Sequence, residues 1–261
     1  MKTLRLGSTG HDVEKWQAFL RGLKAGSQVI VDGNFGETTN QETKDFQASK
    51  KLTADGVVGN ATYAAAMKDG FALVEDDVQD RNGPNWPQKP SYKPLSAIDR
   101  EKLFGKFAYT ASPVPSNPEA IKITDGWSST NISRINIPQL SGISGVPKSG
   151  VIHIHTALVP QITKMFKSWE ESGLMSNVLT WDGSWVPRFS RGSRTYLSNH
   201  SWGSAFDINV AWNGLGVRPA LVGKKGSVRE LVEIAADCGF YWGGWFTNRP
   251  DGMHFEAYKI L

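Results

Sequence analysis

Ser198-Asn199-His200-Ser201-Trp202-Gly203-Ser204-Ala205-Phe206-Asp207-Ile208-Asn209-Val210 is the stretch on which the reading of this 261-residue chain turns. From Ala205 onward its apolar and polar residues alternate, the period of a half-buried strand. Phe206, Ile208 and Val210 then face a core, and Asp207 shares the opposite face with Ala205 and Asn209. Met253 to Ala257 reads the same way, with Met253, Phe255 and Ala257 inward and His254 and Glu256 on the other side. Two strands each present a polar residue from the non-core face. His200 joins them from the preceding loop, which Gly203 leaves free to fold back. Two imidazoles, one carboxylate and the spare carboxylate of Asp251 suit a hydrolytic zinc. Such a site takes N/O ligands, keeps one position open for water and has a base beside it.

Around these stretches the sequence beyond Ser96 mixes helix and strand periods. Val151-Ile152-His153-Ile154-His155 alternates as a strand. Leu158 to Trp169 carries Leu158, Ile162, Met165, Phe166 and Trp169 at helical spacing, and Val228 to Cys238 reads as a second helix ended by Gly239. Leu179 to Trp185 looks like a strand entering a turn. The expected class is α+β: a small antiparallel sheet backed by helices.

The first seventy residues hold an internal repeat. Asp32-Gly33-Asn34-Phe35-Gly36-Glu37-Thr38-Thr39 is echoed by Asp55-Gly56-Val57-Val58-Gly59-Asn60-Ala61-Thr62. In each copy glycine permits the tight loop, and the polar residues after it are expected to cap the next helix. Val13, Trp16, Phe19, Leu20 and Leu23 form an apolar helical stripe ahead of the first copy, so this part reads as a three-helix unit. Neither loop has the alternating acidic ligands and closing Glu of a calcium loop. Residues 71–95 then change character: Pro84, Pro87, Pro90 and Pro94 frustrate helix and sheet, which reads as a semi-rigid tether. The expected division is 1–70, a 71–95 linker, and 96–261.

Composition narrows the remaining classes. Hydrophobic content of 39% is ordinary for a globular protein, and a net charge of +4 without a basic cluster argues against nucleic acid. The ten tryptophans are read first as core residues. The single cysteine, Cys238, cannot form an internal disulfide and reads as a small buried hydrophobe. Met1 to Gly7 lacks an apolar signal core, and no run approaches the length of a membrane span. The expectation is a monomer made in a host cytoplasm that acts in the periplasm or wall after release.

Two resemblances refine this reading. Leu4-Arg5-Leu6-Gly7-Ser8-Thr9-Gly10, Val13-Glu14-Lys15-Trp16-Gln17, the first D-G loop, Lys44-Asp45-Phe46-Gln47 and the second loop occur in an order that resembles the tandem-repeat peptidoglycan-binding domain of cell-wall hydrolases. Trp16 stands where that family usually has leucine. Residues 100–261 resemble the zinc-dependent D-alanyl-D-alanine carboxypeptidase and L-alanyl-D-glutamate endopeptidase family. That family carries S-x-H-x-x-G-x-A-x-D followed by (D/E)-x-x-H, matched here over Ser198–Asp207 and Asp251–His254.

The resemblance implies Zn2+ held by His200, Asp207 and His254, with Asp251 as general base. It also implies an upstream arginine supporting the oxyanion, for which Arg188 is the first choice, Arg191 the second and Arg194 the third. Ser198 is expected to hydrogen-bond near the metal, and Glu256 to orient a ligand. His153 and His155, as H-x-H, would present both rings on one strand face; with the ligand set complete, at least one is expected to line or support the cleft. No G-x-S-x-G elbow makes Ser198 a nucleophile, and the adjacent Glu170 and Glu171 do not form a glycosidase pair. The whole resembles a phage endolysin: a wall binder tethered to a peptidase that cuts an amide of the peptidoglycan stem or cross-link. The rival readings are a carboxypeptidase, a muramidase, a non-catalytic wall anchor and a secreted bacterial effector.

Overall fold

In the computed structural model, residues 2–23, 27–71 and 86–261 are described. The first part is the expected three-helix unit: α1 (His11–Leu23), α2 (Glu37–Ser49) and α3 (Asn60–Lys68). Its core is aromatic. Trp16 meets Phe46, Tyr63 and Phe71 edge-on at 5.6, 6.0 and 5.6 Å, and its indole N–H donates to Thr43 Oγ1 at 2.8 Å. Val13, Phe19 and Leu20 are buried with it, whereas Leu23, the last of the stripe, remains 37% exposed.

The two D-G loops turn at Gly33 and Gly56, with φ of +74° and +77°. The expected side-chain caps are absent: α2 and α3 start from Gly36 and Gly59. A buried glutamine from the preceding helix holds each loop instead. Gln17 Nε2 donates to Asp32 Oδ1 (2.9 Å) and Asn34 O (2.8 Å), and Gln17 Oε1 accepts from Gly33 N (2.9 Å). Gln47 repeats this on Asp55 Oδ1, Val57 O and Gly56 N, each at 2.9 Å. The repeat is thus one glutamine-clamped loop used twice. Gln47→Ala leaves the buried Gly56 N–H unpaired, and is expected to cost about 1–3 kcal/mol in urea unfolding. An unchanged urea midpoint would show that the clamp is not structural.

The second part opens with α4 (Ala97–Phe104), capped by Ser96 Oγ accepting from Asp99 N at 3.1 Å. β1 (Tyr109–Ala111) pairs with β2 (Ile121–Ile123). After α5 (Trp127–Asn131), β3 (Ile132–Asn136) pairs antiparallel with β4 (Val151–His155), which leads into α6 (Val159–Glu171). The main sheet is built from β5 (Trp181–Gly183), β6 (Ala205–Ile208) and, after α7 (Val210–Asn213) and α8 (Val232–Asp237), β7 (Phe240–Trp242) and β8 (His254–Ala257). Its order is β5-β6-β8-β7, antiparallel throughout, with Asp207 opposite His254. The fold is α+β as expected. Phe206 stacks on Phe255 at 5.2 Å and on Trp181 at 5.5 Å, and α6 lays Phe166 and Trp169 over them.

Two details differ from the strand readings. β6 ends at Ile208 because Asn209 takes φ +57°, and its buried amide accepts from Leu179 N and Thr180 N. Val210 therefore starts α7 rather than extending the strand. Met253 precedes β8 and lines a cavity beside Asp207 instead of the core. Cys238 is buried, and burial pushes its thiol up, as a structural cysteine requires.

The tether reading changes in its second half. Trp86 packs on Trp242 at 5.7 Å, Pro87 O accepts from Trp245 Nε1 at 3.0 Å, and Tyr92 stacks on Tyr258 at 3.7 Å. Aromatic burial against the second part outweighs the openness that prolines favour, so residues 86–95 form a strap on it. Pro84 lies outside the described residues. The two parts also touch directly. α1 packs on α7, Trp212 Nε1 donates to Asp69 O at 3.2 Å, and Arg249 lies 3.9 Å from Glu14. No helix among the described residues is long and apolar enough to cross a membrane.

Candidate metal centre

β6 and β8 are hydrogen-bonded neighbours in register, which sets Asp207 beside His254 on the face away from the aromatic core. His200 arrives on a single 3-10 turn, Asn199–Trp202, that ends at Gly203 with φ +61°. Gly203 O accepts from His155 N at 2.9 Å, which ties that turn to β4. His200 Nε2 comes within 3.2 Å of both His254 Nδ1 and Asp207 Oδ2, and His254 Nδ1 within 2.9 Å of Asp207 Oδ1. One ligand atom from each of the three residues lies within 4.8 Å of the others.

The outer nitrogens decide the tautomers. His200 Nδ1 lies 2.7 Å from Ser184 O, a carbonyl that can only accept, so this nitrogen carries the proton. His254 Nε2 lies 3.0 Å from Glu256 Oε2, which fixes its proton likewise. In that tautomer both rings aim a lone pair toward the Asp207 carboxylate, and three electron-pair donors converge. The same acceptors favour positive charge at this point. Burial opposes charge on His254, yet hydrogen bonds to Asp207 and Glu256 outweigh it and push the imidazole up to about 10. Burial opposes charge on Asp207 as well, but His200 and His254 hold that carboxyl well below its usual range. An N/O/N donor set converging within 4.8 Å, its outer ring nitrogens held by a carbonyl and a carboxylate, fits a divalent metal.

The other site residues sort themselves around this centre. Asp251 is held at its backbone, with its N donating to Gly243 O and its O accepting from His254 N. Its Oδ1 is buried without a hydrogen-bond partner among the described residues. Burial pushes Asp251 up to about 7, with the Asp207 charge adding to the shift and the His254 and Arg188 charges opposing it. Glu256 is where the strand period put it, on the face of His254, and it also accepts from Asn199 Nδ2. Arg188 borders both His200 and Asp251, and burial lowers its guanidinium to about 10. Arg191 borders the same space but is bound to Glu119 Oε2 at 2.6 Å. Arg194 is directed elsewhere, onto Pro118 O at 2.5 Å. Ser198 lines the cleft, but its hydroxyl makes no hydrogen bond to another described residue, while its amide donates to Arg188 O at 3.0 Å.

The H-x-H pair separates, because β4 ends at His155 and the chain turns there. His155 is buried among Phe104 and Trp127, with Nδ1 accepting from Ala157 N at 3.2 Å. His153 is exposed, 6.2 Å from the Trp185 ring. Neither ring lines the cleft, and support comes only from the backbone, through His155 N and through His153 O accepting from Ser184 Oγ. Arg100, Asn199 and the Ser184 carbonyl went unnoticed in the sequence. Arg100 borders the cleft with its guanidinium 5.4 Å over Trp202. The cleft has a volume of about 750 Å³ and is open along Lys106, Tyr109 and Tyr196.

Comparison with known proteins agrees with this geometry. Residues 191–257 match the family described as D-alanyl-D-alanine carboxypeptidase, and residues 9–66 match the family described as "Putative peptidoglycan binding domain". A zinc D-Ala-D-Ala carboxypeptidase of Streptomyces albus G is 39% identical over 76 residues. That match spans 29% of this chain and 28% of the relative. The two matched regions follow one another along the chain, a region similar to a peptidoglycan-binding domain ahead of one similar to a D-alanyl-D-alanine carboxypeptidase.

Proposed function

We propose that this chain is a zinc peptidase that hydrolyses an amide bond in the peptide stem or cross-link of bacterial peptidoglycan, as an endopeptidase of the phage endolysin type. The observation that carries the reading is the convergence of His200 Nε2, Asp207 and His254 Nδ1 beside the unpartnered Asp251 Oδ1, at the floor of an open cleft. His200, Asp207 and His254 hold the metal. A zinc ion held there would supply Lewis-acid charge and lower the pKa of a water toward neutrality.

The chain's own groups do the rest. Asp251 Oδ1 takes the proton of the attacking water as the new C–O bond forms. It returns that proton to the departing nitrogen as the C–N bond breaks. The Arg188 guanidinium stands by the oxygen that gains charge. Glu256 and the Ser184 carbonyl keep both imidazoles turned with the correct nitrogen inward. A second reading, a carboxypeptidase that removes a terminal D-alanine, is favoured by the name of the Streptomyces relative. Mass spectrometry of fragments released from purified sacculi distinguishes the two: an internal amide cut frees stem peptides, and a terminal cut frees only D-alanine. Loss of glycosidic bonds alone would overturn both.

A further inference from the structure

The contact between the two domains reaches the metal centre. α1 lies on α7, the short helix that follows β6 and Asp207. A Cβ on Gly22 would sit 2.1 Å from Ala211 Cβ, so only glycine allows this approach. Trp212 enters the N-terminal core, where a Cβ on Gly70 would sit 2.0 Å from its ring nitrogen. This is built packing rather than a loose tether. Next to Gly22, Arg21 projects through the interface, and with Val31 it closes a cavity of about 90 Å³. The other walls include Asp182, Arg188, Arg191, His200, Asp207 and Asp251.

Most charges in that cavity are already committed. Arg191 is bound to Glu119 and Asp207 faces the metal centre. Asp182 accepts from Thr180 Oγ1 at 2.8 Å and Val210 N at 3.0 Å. The Arg21 guanidinium makes no hydrogen bond to another described residue, and that of Arg188 donates to the neighbouring Phe189 O at 3.2 Å. Burial and the nearby Arg191 lower Arg21, with Asp182 and Asp207 opposing them, so its charge is felt inside the site. The volume equals about three waters at ~30 Å³ each, enough for a carboxylate on a small residue and too little for a continuing peptide.

We propose that Arg21, supplied by the N-terminal domain, binds the α-carboxylate of the residue whose nitrogen leaves, and so selects substrates carrying that carboxylate. This rests on the zinc-peptidase reading above. A terminal D-alanine and a γ-linked D-glutamate both present a free carboxylate on the carbon that bears the scissile nitrogen. The chemistry is therefore shared by both proposed bonds. The wall-binding domain becomes part of the specificity pocket.

The test uses full-length, zinc-loaded protein and soluble stem peptides in matched pairs. One pair ends in D-Ala-D-Ala as acid or amide; the other carries L-Ala-γ-D-Glu with a free or amidated α-carboxyl. The wild type is expected to favour the acid of the pair it cleaves. Arg21→Met should erase that preference through a rise in KM of about 10- to 100-fold for the acid, the worth of a charge-assisted hydrogen bond. The amide should keep its kinetics, Arg21→Lys should restore part of the preference, and zinc content should not change.

Gly22→Leu, which wedges α1 away from α7, should lose selectivity as Arg21→Met does. Saturation-transfer NMR with free D-alanine and D-glutamate gives a readout independent of turnover, with binding to wild type lost in Arg21→Met. An acid-to-amide ratio unchanged in Arg21→Met, or an equal loss on acid and amide, would overturn the proposal; so would wild-type selectivity in Gly22→Leu. If the wild type cleaves neither pair, the proposed function falls first, and the NMR result alone decides Arg21.

Discussion

His254→Ala is expected to abolish both metal binding and turnover. Wild-type protein should carry about one zinc per chain by elemental analysis, and the variant almost none at the same free-metal concentration. The reason lies in the geometry. His254 Nδ1 closes the triangle with His200 Nε2 and Asp207, and Glu256 holds its ring in place. Removing it leaves two ligands, and the loss of activity should exceed the ~10²-fold that a change in the surrounding hydrogen bonds produces. Chelation of the wild type should have the same effect, reversed by added zinc. Full turnover in chelated protein with metal absence verified would end the zinc reading.

Asp251→Ala should instead keep its zinc and lose about 10² to 10⁴ in kcat, the usual worth of a general base. Asp251 Oδ1 is buried and unpartnered, which leaves it free to hold a water, and burial raises its proton affinity toward neutrality. The measurement pairs single-turnover kinetics on a soluble stem peptide with elemental analysis of the same sample. Loss of zinc in this variant would make Asp251 a ligand and move the base elsewhere. Arg188→Ala, with metal retained, should cost about 10² in rate if the guanidinium meets the developing oxyanion. A normal rate there, with a loss at Arg191→Ala, would transfer the role despite the Glu119 contact.

The alternation in Ala205–Ile208 and His254–Ala257 was enough to place Asp207, His254 and Glu256 opposite the aromatic core, because strand side chains alternate by geometry alone. The D-G repeats likewise announced themselves, since a left-handed turn favours glycine whatever surrounds it. Local rules also found α6, α8 and the apolar stripe of α1.

They did not reach Gln17 and Gln47, whose amides look like any polar helical residue until the loops they clamp are in place. They misjudged His155, because β4 ends there and the ring turns into the core. The choice among Arg188, Arg191 and Arg194 was open in the sequence; what separates them in the structure is Glu119 and Pro118, residues distant along the chain. The same holds for Ser184 O on His200, for the strap at Trp86 and Tyr92, and for Arg21 beside Asp207. The sequence by itself determined β4, β6, β8, α1, α6 and α8 in outline, and the donor types. Tertiary structure decided which nitrogen faces inward, which arginine is held by a carboxylate and what closes the cavity, because those depend on contacts between segments with no local pattern in common.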